Sequence, residues 1–251
     1  MIEKAELDDL MNRGWPSLRY VNMDGWVARF SRGVTQRANS VLPVGSPRDP
    51  IAALERIEQL YRDQRLPAIF QVSPAAQPSG LDRLLEAKGY ELRSPTSVEV
   101  ADISTVLGHL SEDGRAVAVA DSPDEAWMDL WWSVDGRGGS EARRIARHIL
   151  TATPALYAST GDAAGATAVG RLALAEDWGG LYCMAVRPDV RRRGHAMAVL
   201  RALLERASRT GVRRAWLQVV AENDAARTLY ARAAFVPRSS YHYRIQPVAR
   251  G

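Results

Sequence analysis

Between Leu181 and Ala207 a strand, an arginine-rich glycine turn and a helix follow one another, and no other stretch restricts the fold as tightly. Tyr182 to Val186 is a short apolar run suited to a buried strand. Arg187-Pro188-Asp189 interrupts it, and Arg191-Arg192-Arg193-Gly194 makes the turn. Met197, Leu200, Leu203, Leu204 and Ala207 then recur at helical spacing, with Arg201, Glu205 and Arg209 at four-residue intervals on the other side. Gly211 supplies the left-handed stop. A strand that enters a helix through a glycine turn places the chain among α/β folds.

The first turn of a helix has N–H groups without partners inside the helix, and its dipole adds partial positive charge. Arg191, Arg192 and Arg193 add full charges beside it, Gly194 leaves room for close backbone approach, and the small Ala196 keeps the helix start tight against it. The expected guest is a diphosphate. A solvated charge cluster in front of an ordinary helix is the plain alternative.

These residues resemble the GNAT acyl-CoA N-acyltransferase superfamily. Arg191-Arg192-Arg193-Gly194-His195-Ala196 is similar to its Arg/Gln-x-x-Gly-x-Gly/Ala turn, and Met184-Ala185-Val186-Arg187-Pro188 to its pyrophosphate-side strand. Leu217 to Val220, Asn223, Ala226, Leu229-Tyr230 and Ala234-Phe235 are similar to its second cofactor motif, with Ala234 where the family usually has glycine. The resemblance covers about Leu181 to Pro237. It implies acetyl-CoA as co-substrate, held by Met184, Ala185, Val186, Arg191, Arg192, Arg193, Gly194, His195, Ala196, Asn223, Ala226 and Arg227. Asn223 would hydrogen-bond the pantetheine arm, Tyr230 would protonate the departing sulfur, and a backbone N–H near Ala185 would meet the oxyanion. Arg227 either reaches a cofactor phosphate or faces solvent.

A chain of 251 residues allows one large or two modest domains. The order Phe70-Gln71-Val72, Leu81 to Lys88, Gly89-Tyr90 resembles Leu217-Gln218-Val219, Ala225 to Ala233, Ala234-Phe235. The expected fold is therefore α/β with a mixed sheet in two GNAT-like halves: residues 1–106, a degenerate copy, and residues 107–251, which carry the acyl-CoA site. Leu107 to Gly114 reads as the linker. In the first half, Gly45 to Pro50 stands where the basic turn belongs, and Leu85 falls where the second half has Tyr230.

Asp24-Gly25 predicts a hairpin, and Asp49-Pro50 opens a helix with Ile51, Leu54, Ile57 and Tyr61 as its apolar stripe. Ala68 to Val72 and Thr96 to Val100 read as strands. In the second half, Arg115 to Ala120 is a strand, followed by helices after Asp124 and over Glu141 to Leu150. Ala155 to Ser159, Ala166 to Ala175 and Leu181 to Val186 form a meander, with turns at Gly161 to Gly165 and Asp177 to Gly180. Asp135 to Gly139 is a flexible loop lacking the Gly-Lys-Ser/Thr of a phosphate loop. By resemblance it borders the acceptor site; as composition it is a surface linker.

An alkylamine near neutral pH is almost entirely protonated, so acyl transfer to nitrogen needs a base, an oxyanion donor and a proton for the thiolate. Tyr230, almost two helical turns after Asn223, is the candidate acid, with Ala226 between them. Glu176 is the candidate base; Asp177 and Glu222 are alternatives, and each could equally be a solvated turn carboxylate. Trp127, Trp131, Trp132 and Trp178 read either as core or as an acceptor pocket. The resulting expectation is an acetyl-CoA-dependent N-acetyltransferase acting on an unidentified amine by direct attack through a tetrahedral intermediate. The alternative is a non-catalytic acyl-CoA-binding module.

Cys183 is the single cysteine, so no internal disulfide can form, and the four histidines have no zinc spacing. It reads as a small buried hydrophobe. A net charge of +4 suits an anionic cofactor and argues weakly for nucleic acid, because the densest basic run is tied to a glycine turn. Without a membrane-length apolar run or a signal-peptide core, the reading is cytoplasmic, monomer or homodimer, with no metal, nucleic acid or membrane partner.

Overall fold

The computed structural model describes residues 2–111 and 114–247; Glu112 and Asp113, in the expected linker, lie outside the described residues. The chain divides into two compact units. One comprises Met1–Ser97, Val220–Glu222 and Arg238–Gly251; the other comprises Val98–Val219 and Asn223–Pro237.

The first unit begins with α1 (Lys4–Gly14), unforeseen in the sequence, and the hairpin β1 (Arg19–Met23) and β2 (Trp26–Phe30). Asp24 and Gly25 both take positive φ, the type I′ geometry that matches strand twist. β3 (Val41–Pro43) leads into α2 (Pro50–Asp63) and β4 (Ile69–Val72), and β3 and β4 pair in parallel. Asp49 caps α2, its Oδ1 accepting N–H bonds from Ile51 and Ala52 at 3.0 Å. The buried stripe of α2 is Ala53, Leu54, Ile57 and Tyr61; Ile51, expected in it, is 51% exposed because it sits in the first turn beside the cap. α3 (Leu81–Ala87) buries Leu81 and Leu85. The core joins Trp26, Phe70 and Tyr90 edge to face.

β5 (Glu91–Asp102) belongs to the second unit from Val98 onward, and α4 (Ile103–His109) follows, occupying the start of the expected linker. Ile103, Val106 and Leu110 bury one face of it. β6 (Ala118–Ala120), α5 (Glu125–Asp135), α6 (Ser140–Thr151), β7 (Ala155–Asp162), β8 (Gly165–Ala175) and β9 (Trp178–Val186) come next. Then α7 (His195–Ser208) crosses to β10 (Arg214–Val220), and α8 (Asp224–Arg232) follows. The strand order in this unit is β5-β10-β9-β8-β7-β6. β6 to β9 form an antiparallel meander, and β9 and β10 are parallel, so the sheet is mixed. α7 buries Val199, Leu200, Leu203, Leu204 and Ala207 against Leu156, Leu172, Leu181 and Leu217. On the opposite pleat, Arg171 is fully buried between the rings of Tyr157 and Tyr182, its Nε donating to Leu150 O at 3.1 Å.

β11 (Val236–Ile245) starts in the second unit and from Arg238 belongs to the first. There it runs antiparallel to β4, His242 opposite Val72 and Ile245 opposite Ile69, and completes the order β1-β2-β3-β4-β11. No helix among the described residues is long and apolar enough to cross a membrane.

One expected turn is strand. Glu176-Asp177 is the whole turn, and Trp178 to Gly180 already belong to β9. Gly180 is there for packing: a Cβ on it would lie inside the Trp216 indole. A glycine pair that reads as a breaker is a gap left for a tryptophan.

Candidate active site

β9 and β10 pair only from Trp178 opposite Arg214 to Leu181 opposite Leu217. Beyond that level the ladder between β9 and β10 ends, opening a fork at Tyr182–Val186 and Gln218–Val219. On its other side β9 bulges. Arg171 faces Tyr182 and Val169 faces Ala185, so Cys183 and Met184 together oppose Gly170. Cys183 takes a φ of 55°, half-buried at the bulge and not a core hydrophobe. Met184 falls outside the register of both pairs, β8 with β9 and β9 with β10. Gly170 is needed because a Cβ there would sit 2.5 Å from Met184 Sδ and 2.7 Å from Val199 Cγ1. The Trp127 indole N–H donates to Gly170 O at 3.3 Å and to Ala158 O at 3.0 Å, which makes Trp127 core.

From Val186 the chain passes through a short 3-10 turn, Pro188–Val190, into the basic turn. Arg192 and Gly194 are both left-handed, with φ of 60° and 86°. Turns of this kind curl successive N–H groups into an anion-binding concavity. Gly194 is the N-cap of α7 and offers no side chain to it, while Met197 and Ala198 N–H already bond Gly194 O. The amides just ahead of them remain for a ligand. Arg191 donates to Val186 O at 3.2 Å, and Arg192 and Arg193 make no ion pair among the described residues. Arg187 is committed elsewhere, forked onto Asp162 and Asp189. His195 Nδ1 meets Thr167 Oγ1 at 3.2 Å, and Ala196 is half-buried behind it.

α8 starts from the fork's other strand. Asn223 caps it, Oδ1 accepting from Ala226 N at 3.1 Å, which leaves its amide NH2 as the donor available to a ligand. Ala226 is half-buried, and Arg227 is exposed beside Asp224 at 3.5 Å. Tyr230 is 9% exposed, edge-on to Phe235 with centroids 5.9 Å apart. Its Oη makes no hydrogen bond among the described residues. Burial holds its proton well above the ordinary phenol range, and the negative charges of Glu99 and Asp135 act in the same direction.

Met184 and Val186 at the bulge, Met197 in the first turn of α7, Ala226 and Tyr230 all meet in one hydrophobic core cluster. The structure does not bring Glu176 to them. Glu176 is exposed in the hairpin turn at the start of β9, roughly 20 Å along the strand from the bulge at about 3.3 Å per residue. Asp177 beside it is structural, pairing with Arg214 at 2.6 Å while Arg214 stacks on Trp178 at 4.4 Å. Glu222 is exposed in the turn before α8. Trp127 and Trp131 are buried, and Gly136 to Gly139 join α5 to α6. Sequence reasoning missed Glu99, 5% exposed on β5 and within electrostatic reach of Tyr230. Its signal was a charged residue inside the apolar run Val98-Glu99-Val100-Ala101. Among the described residues no cluster could hold a metal ion.

A mixed sheet whose parallel pair forks ahead of a crossover helix, with an uncapped basic glycine turn at that helix's start, defines a GNAT N-acetyltransferase fold. Solved structures share it. A GCN5-related N-acetyltransferase from Kribbella flavida superposes with a TM-score of 0.70 at 16% identity, covering 99% of this chain and 97% of that one. A tandem GNAT protein from the clavulanic acid biosynthesis pathway gives 0.63 at 14% identity, over 95% and 86%. The family described as "Probable histone acetyltransferase Rv0428c C-terminal" matches residues 3–244, and the chain belongs to it. It is also 30% identical over 249 residues to the "Uncharacterized N-acetyltransferase YobR" of Bacillus subtilis (strain 168), covering 98% of this chain and all of that one.

Proposed function

We propose that the protein transfers an acetyl group from acetyl-CoA to an amine by direct attack. The observation that carries this reading is the uncapped, left-handed glycine turn ringed by arginines, on the same unit as a buried phenol whose hydroxyl makes no hydrogen bond among the described residues. Arg191, Arg192, Arg193 and the amides of Gly194, His195 and Ala196 hold the diphosphate. Asn223 and Ala226 hold and clear the pantetheine arm, and the unpaired backbone at Met184 supplies the oxyanion donor. Acetyl-CoA supplies the activated thioester. Tyr230 Oη donates to the sulfur as the carbon–sulfur bond breaks.

We read the first unit as a structural copy of the second. β3-α2-β4 repeats the parallel crossover β9-α7-β10, but the N-terminus of α2 is closed by the carboxylate of Asp49, an anion where α7 presents arginines. On the sequence pattern the copies divide into residues 1–106 and 107–251.

Titration calorimetry with acetyl-CoA, joined to thiol release against a panel of primary amines, tests the reading. Binding with amine-dependent release supports it, and Tyr230→Phe should then lose about 100-fold in turnover with acetyl-CoA affinity unchanged. Tight binding without release on any amine would identify an acyl-CoA-binding module instead.

A further inference from the structure

Arg191, Arg192 and Arg193 belong to the basic turn itself, and a further arginine reaches it from a distant part of the second unit. Arg115, half-buried ahead of β6, donates from Nη1 to Arg193 O at 3.1 Å, across 78 positions of sequence. The segment that carries it is anchored on both sides. Upstream, Leu110 is buried in the core with Val199 and Leu200 of α7, and Arg201 of α7 donates to Leu110 O at 2.6 Å. Downstream, Val117 packs against the same core. The body of α7 thus fixes the segment that reaches back to the turn in front of it.

A peptide group is planar and trans, so its C=O and N–H point in opposite directions. The Arg193 carbonyl and the Gly194 N–H belong to one such group. Holding the oxygen at Arg115 turns the Gly194 amide to the far side, and that N–H makes no hydrogen bond among the described residues. An anion-binding turn needs its amides toward the ligand and its carbonyl oxygens away from it. Glycine makes outside control of this peptide necessary. Without a Cβ, Gly194 has many backbone states besides its φ of 86°, and each swings the peptide ahead of it differently. The Arg115 bond selects among them.

We infer that Arg115 is a positioning residue for the diphosphate of acyl-CoA: by holding Arg193 O it keeps the Gly194 amide directed at the ligand. This rests on the acyl-CoA site proposed above. Arg115 acts through the main chain and not on a phosphate, and it stands outside the strand–turn–helix stretch whose spacing marks the site.

Arg115→Met in the full chain, titrated calorimetrically with CoA and with 3′-dephospho-CoA, tests this. Both ligands carry the diphosphate, and only CoA carries the extra ribose phosphate. The expected result is an affinity loss of about fivefold to tenfold, equal for the two ligands. The ratio of wild type to variant should persist at about 0.5 M salt, where through-space attraction is screened within a few ångströms. At saturation, the Gly194 amide proton of nitrogen-15-labelled protein, which a bond to phosphate moves downfield in wild type, should move less in the variant. Should Arg115→Met not fold, Arg115→Lys keeps the charge without the planar fork and should lose about twofold to threefold, again equally on both ligands. An unchanged affinity, a loss confined to CoA, or a loss that vanishes at high salt would overturn the inference, the last two by showing the guanidinium acting on phosphate directly. A wild-type protein that binds neither ligand would remove the acyl-CoA site itself.

Discussion

Asp8 on α1 is half-buried, with Oδ2 accepting from the Ser73 hydroxyl while the enclosed Oδ1 has no hydrogen-bond partner among the described residues. Burial pushes its carboxyl up to about 6 from the ordinary 3.8; the Ser73 hydrogen bond and the Arg29 charge pull down but do not win. A carboxyl raised on folding favours the protonated native state. The native fold therefore holds its full stability from this group below about pH 4 and loses it as pH rises through about 6. At about 1.36 kcal/mol per pKa unit, the penalty at pH 7.5 is about 3 kcal/mol. Asp8→Asn cannot ionise and should recover about 2–3 kcal/mol at pH 7.5 and nothing at pH 4. Urea unfolding of both proteins across pH 4 to 7.5, followed by circular dichroism, reads the difference, which cancels every other titrating group. A gap that is flat with pH, or that widens toward acid, would refute the reasoning.

Gly194→Ala must hold a left-handed φ of 86°, costing about 1–2 kcal/mol and moving the amides that grip the diphosphate; acetyl-CoA affinity by calorimetry should fall about tenfold or more. Gly170→Ala drives a methyl into Met184 and Val199, so thermal unfolding should show a loss of about 1–3 kcal/mol, and turnover should fall with it as the bulge shifts. Glu176→Gln should leave kcat and KM unchanged in the thiol-release assay, since the residue is a remote turn carboxylate. A fall of tenfold or more would return Glu176 to the chemistry.

The turn and cap geometry of the proposed cofactor site was legible because it is local. Arg191 to Ala196 and Asn223 to Tyr230 are consecutive or one helix apart, so their spacing alone sets which groups share a turn or a face. The charged surroundings of the phenol were not. Glu99 comes to Tyr230 through the placing of β5 beside β10, a pairing between distant segments with no local signature. Glu176 was misplaced for a related reason. Gly179-Gly180 has the composition of a turn, and only the Trp216 ring packed over it shows that it is strand.

The sequence by itself determined the strand–turn–helix unit, the hairpin at Asp24-Gly25, the caps at Asp49 and Asp124, and the family, since each follows from backbone preference and spacing along a few residues. Tertiary structure alone decided where β9 and β10 part, that β9 bulges at Cys183, that β11 completes the first unit, and which carboxylates lie within electrostatic reach of the phenol. Those outcomes depend on side-chain volumes meeting across strands, as Met184 over Gly170 and Trp216 over Gly180 do, and such contacts join segments whose separation along the chain carries no information about their distance in space.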